Sequence, residues 1–156
     1  MKYARLTKEQ LEELHPEFIN FLALQAIDKD EWQKITQEKP EVALQEIDVF
    51  SDLIWERALE KVTHIDHFSK QYIFLFKCDN FTIFSYIIKA NIEVDFMQKE
   101  GIEWLSNNLF SDDVEITTAK KEVKEDRNKE IFSLINKGGI ISKGELFSKL
   151  EKLIQL

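Results

Sequence analysis

The spacing of apolar positions divides the chain into helical and strand-like stretches. Leu11, Leu14, Phe18, Phe21 and Leu22 recur at intervals that put them on one helical face. Thr7 stands ahead of them as N-cap, with Gln10 as its capping-box partner. Pro16 interrupts the stripe, so either one helix kinks there or a second helix opens with Pro16 in its first turn, where a missing N–H does no harm. Asp28 is placed to cap a short helix through Trp32 and Ile35. Pro40 opens the longest helix, to about Val62, along which Ala43, Ile47, Phe50, Ile54 and Ala58, flanked by Val49, Leu53 and Leu59, make a broad apolar stripe. Such a stripe needs a large surface to cover it, and a sheet is the one the chain offers.

From Val62 the period changes to two. It predicts strands at about 62–68, 72–78 and 81–89, joined by short turns into an antiparallel meander. In the middle strand Tyr72, Phe74, Phe76 and Cys78 face one way and Ile73 and Leu75 the other, so the strand is expected to be covered on both sides. Asn91–Asp95 reads as a link and Gln98–Leu109 as a helix with Ile102, Leu105 and Leu109 inward, although Gly101 within it costs about 1 kcal/mol of helix propensity. Val114–Thr118 alternates as an edge strand, and Ala119–Arg127 reads as a charged, solvated linker. Ile131–Leu156 predicts two helices about a tight turn, with Gly138 and Gly139 ending the first and Ser142 and Glu145 forming a capping box for the second. The expected fold is therefore α+β: N-terminal helices packed on a three- to four-stranded antiparallel meander in a core domain over 1–125, and a C-terminal helical hairpin over 126–156.

Composition narrows the function. Residues 1–60 hold 7 Lys and Arg against 14 Asp and Glu, within a net charge of -8 for all 156 residues. An acidic half disfavours nucleic acid and anionic lipid and suits a basic protein partner. One cysteine, no apolar run at the N-terminus and no stretch approaching a membrane span imply a cytoplasmic protein that does not enter a membrane.

Candidate chemistry is sparse. His64, Asp66 and His67, with Cys78 on the next strand, are the residues from which a metal-dependent enzyme or sensor would be built. On an extended strand, however, His64 and Asp66 share a face that His67 leaves. Asp48, Asp52 and Glu56 form a row along one helix face beside Trp55, a surface for a basic partner. The glycines lack the spacing of a phosphate loop, and no cofactor is implied. The favoured function is a non-enzymatic interaction or regulatory protein, with Asp48, Asp52, Trp55, Glu56, Leu146 and Leu150 as partner-binding residues and the tail mediating docking or homo-oligomer formation.

Gly139, Ile140, Ile141, Ser142, Glu145, Leu146, Lys149 and Leu153 resemble the pattern of the SHOCT domain, a short helical hairpin appended to bacterial proteins. That resemblance implies tethering or oligomerisation, and Gly144 departs from it where a charged residue is usual. The whole chain is similar to a family of small acidic Bacteroidota proteins without an assigned activity, through MKYARLTKEQ, VFSDLIWE, HFSKQYIFLFKC, VDF and ISKGELF. This resemblance implies no site residue.

Overall fold

A computed structural model describes residues 1–155. The fold is α+β, with seven helices and one five-stranded antiparallel sheet among the described residues. The chain divides into two compact units, Met1–Glu60 and Lys61–Leu156. This boundary differs from the one expected near residue 125, and it leaves the tail inside the unit that holds the sheet.

The first unit is helical: α1 (Lys8–Glu13), α2 (His15–Ala23), α3 (Lys29–Glu38) and α4 (Pro40–Glu60). The caps form as the side chains dictate, with Thr7 and Gln10 in a reciprocal capping box and Asp28 accepting from the N–H of Glu31. Pro16 sits in the first turn of α2, so the stripe is broken into two helices with no kink. Leu6, Phe18, Leu22 and Phe50 form the core, with Trp32, Ile47, Ile54 and Trp55 packed around it. Phe18 meets Trp32 edge-on at 5.2 Å between ring centroids, a favoured aromatic geometry. The stripe of α4 is narrower than its apolar residues suggest, since Val49 and Leu53 are exposed. Ser51 is fully buried in that helix, donating to the carbonyl of Ile47 at 2.7 Å and accepting from the N–H of Leu6 at 3.0 Å.

The second unit is built on β1 (His64–Phe68), β2 (Tyr72–Cys78), β3 (Thr82–Ala90), β4 (Val114–Glu122) and β5 (Ile140–Ser142), in the order β4-β3-β2-β1-β5. The meander is as expected, but the sheet has five strands where three or four were foreseen. β4 runs on through Ala119–Glu122, opposite Thr82–Ser85, where a linker was expected. The reason is that this stretch is exposed throughout, so it carries no apolar alternation to reveal it. β5 lies between the two tail helices, α6 (Arg127–Asn136) and α7 (Glu145–Gln155), and pairs with β1 from His64↔Ser142 to Asp66↔Ile140.

One sheet face is closed by Ile73, Leu75, Tyr86 and Ile88 together with Leu105 of α5 (Lys99–Asn108), Phe96, and Phe147 and Leu150 of α7. On the other face of β2, Tyr72, Phe74 and Phe76 stack in a ladder, with centroids 5.9 and 6.2 Å apart. That face is only part-covered, so β2 is deeply buried on one side and half-exposed on the other. Among the described residues no helix is long and apolar enough to cross a membrane.

Candidate functional site

Three places gather the residues singled out by the sequence. The first is the acidic row of α4. Asp52 accepts from the backbone N–H groups of Lys2 and Tyr3 at 2.7 and 2.9 Å, and Asp48 accepts from Arg5 Nε at 2.6 Å. Glu56 accepts from the Tyr3 hydroxyl at 2.5 Å and from Lys2 Nζ at 3.1 Å. The basic ligand of the row is thus the chain's own residues 2–5. Tyr3 is buried beneath the contact, and burial with the adjacent Glu56 carboxylate pushes its phenol up to about 12. Trp55, expected among the partner-binding residues, packs against the helical core.

The second place is the His64–His67 strand. Pleating sends its side chains to opposite faces, and each is used to hold the tail. On one face Asp66 accepts from the Ser142 hydroxyl at 3.1 Å, while that hydroxyl accepts from the Gly144 N–H at 3.2 Å. Ser142 is therefore a strand residue tied to Asp66 instead of a capping-box residue, and Ser148 N–H reaches the Gly144 carbonyl as the opening helical bond of α7. The His64 ring lies against Gly144 and 5.4 Å from Phe147. Gly144 has φ +80°, and a Cβ there would stand 2.5 Å from His64 Nδ1, so the departure from a charged residue has a steric cause. On the other face His67 packs on Gly138 and on Phe74.

Burial lowers the pKa of His64, with Lys77 across the ladder adding to the effect, and burial raises that of Asp66 against the opposing Ser142 bond. Cys78 shares its face with His67 but lies four residues along β2 from His67's partner Phe74, roughly 13 Å at strand rise. Among the described residues, no three His, Cys, Asp or Glu side chains are placed to share an ion. The structure does not bring His64, Asp66, His67 and Cys78 into one coordination sphere; alternation along β1 separates them.

Burial pushes the Cys78 thiol up to about 11, so it is an apolar packing group and a poor nucleophile. Its contribution to stability is complete below its unfolded value near 9 and is lost as pH rises through about 11. In the native protein at pH 8, Cys78 is expected to stay unlabelled by Ellman's reagent and to react in full once denaturant is added. Rapid native labelling would contradict this burial.

The third place is an apolar cleft of about 200 Å³ between α5 and α7, floored by Ile73, Leu75 and Ile88 of the sheet. Leu105 and Leu150 close its depth, while Ile102, Leu146 and Leu153 stand exposed at its lips. Ser106 and Lys149 are its polar lining residues. Leu146 and Leu150 are thus brought together, one at the lip and one in the wall. The α5 contribution was missed, because Ile102 reads as an inward helical position. Its spacing from Leu105 was the available signal for a shared apolar edge.

No curated protein and no solved structure matches the chain. A family model described as a family of unknown function, DUF6495, matches residues 1–155, and the chain belongs to that family.

Proposed function

We propose that the protein is a non-enzymatic cytoplasmic interaction protein that docks a partner protein through the cleft between α5 and α7. The observation that carries this reading is the set of exposed apolar lips, Ile102, Leu146 and Leu153, around an apolar recess with Lys149 beside it. Its volume of about 200 Å³ falls below the roughly 300–1,000 Å³ of small-molecule sites and suits apolar side chains presented by another protein. Lys149 makes no ion pair among the described residues, so the complementary segment carries a carboxylate beside its apolar anchor. The partner is acidic at this site, in contrast to the basic one suggested by overall charge, because the acidic row of α4 is already engaged by Lys2, Tyr3 and Arg5.

Selection from a library of random displayed peptides tests this. The expected binders carry Leu, Phe or Trp next to Asp or Glu, and lose binding to Leu153→Glu and Lys149→Glu variants that melt like the parent. Binders indifferent to both substitutions would overturn the reading, as would saturable binding of decanoate with no peptide selected.

A further inference from the structure

β4 is one edge of the sheet, nine residues long, and it is exposed from Thr117 to Glu122. An edge of that length presents a row of backbone donors and acceptors to any strand that can align with it. Which groups point outward follows from the ladder ends. The N–H of Asn91 donates to the Asp113 carbonyl at 2.8 Å, and the N–H of Val123 to the Phe81 carbonyl at 2.8 Å. Backbone groups alternate sides along a strand, so the odd-numbered residues bond to β3. Ile116, Thr118, Lys120 and Glu122 therefore turn their N–H and C=O groups away from the sheet, and Val114 turns its C=O outward while its N–H bonds to the Ser111 carbonyl at 3.2 Å.

An antiparallel strand pairing here must oppose outward residues with outward residues. For a second copy of β4, the register that uses the whole strand is centred on Thr118 facing Thr118. It sets Val114 against Glu122 and Ile116 against Lys120, all outward-facing. On the same register Glu115 stands opposite the second copy's Lys121, and Lys121 opposite the second copy's Glu115. From Ile116 to Lys120 the strand is self-complementary in backbone, and over Glu115 to Lys121 it is self-complementary in charge. Lys121 also meets Glu130 of α6 at 2.8 Å, which holds its ammonium on the face that Glu115 shares by alternation.

We propose that two copies of this chain pair through β4 in this register, joining their sheets into one continuous two-fold sheet. The interface is isologous, since each strand supplies one Glu and one Lys to two symmetric ion pairs. It is independent of the α5–α7 cleft, and either can fail without the other.

Light scattering of the full-length protein during size exclusion tests it. The parent is expected at twice the monomer mass, with dissociation favoured by salt because the pairs are exposed. Glu115→Lys and Lys121→Glu should each weaken self-association by roughly tenfold or more, since attraction becomes repulsion at both symmetric positions. Mixing the two variants should restore the dimer, because every facing pair in the mixed species is again of opposite sign. Restoration also shows that both variants remain folded. A parent that stays monomeric at all concentrations, with its edge lysines acting as guards against pairing, would overturn the proposal; so would a dimer unaffected by either charge reversal.

Discussion

Replacing Gly101 by alanine is expected to destabilise the sheet-bearing unit by about 3 kcal/mol or more, among the larger effects of adding one methyl group to a core. A Cβ at this position would stand 1.8 Å from the Asp95 carbonyl oxygen and 2.5 Å from its carbon. Those are backbone atoms, so no side chain can swing aside. The link they belong to is itself pinned, with the Phe96 N–H donating to Lys70 O at 2.8 Å and the Phe96 ring 1% exposed in the core. To admit the methyl group, α5 must lift from the link, loosening Leu105 and opening the α5 wall of the cleft. Urea unfolding checks this. A variant within 1 kcal/mol of the parent, at the scale of ordinary helix propensity, would show that the close approach is not enforced.

The second large effect is expected at Arg127. Its guanidinium donates to the carbonyls of Val62, Cys78 and Asp79, tying the approach to β1 to the end of β2. Bonds from a charged donor are worth about 1.5–3 kcal/mol each, and carbonyls stripped of their donor bear a desolvation cost. Arg127→Met keeps the stem and removes the donors, and it is expected to lose about 3 kcal/mol in urea unfolding. Arg127→Lys should recover only part, because one ammonium cannot reproduce the planar fork. Full recovery with lysine would mean that charge alone holds these strand ends.

Local chemistry was readable where side chains act on neighbours in sequence. Thr7, Gln10 and Asp28 cap helices as their positions demand, and the alternation in Tyr72–Lys89 marks two strands of the sheet. What escaped reading depends on distant partners. Gly101 looks like a flaw in a helix until Asp95 is seen against it. Ser142 and Glu145 look like a capping box until Asp66 claims the hydroxyl. Ala119–Glu122 looks like a linker because an exposed strand edge has no buried face to imprint a period.

The same limit applied to function. The acidic row was visible as a feature, but its engagement by Lys2, Tyr3 and Arg5 is a contact across more than forty residues. The His64–His67 stretch suggested chemistry through its residue types. Its geometry assigns it to holding β5 and the start of α7. The cleft requires both α5 and α7, and of its lining only Leu146 and Leu150 were assigned to partner binding from the chain.

Methyl NMR of the full-length protein tests docking at the α5–α7 cleft most directly. On titration with a selected acidic peptide bearing an apolar anchor, the methyl signals of Ile102, Leu146, Leu150 and Leu153 are predicted to shift together and saturate. Those of Ile47 and Ile54 beside the acidic row should stay in place. Shifts confined to the α4 region, or none at the cleft when the peptide is bound, would contradict it.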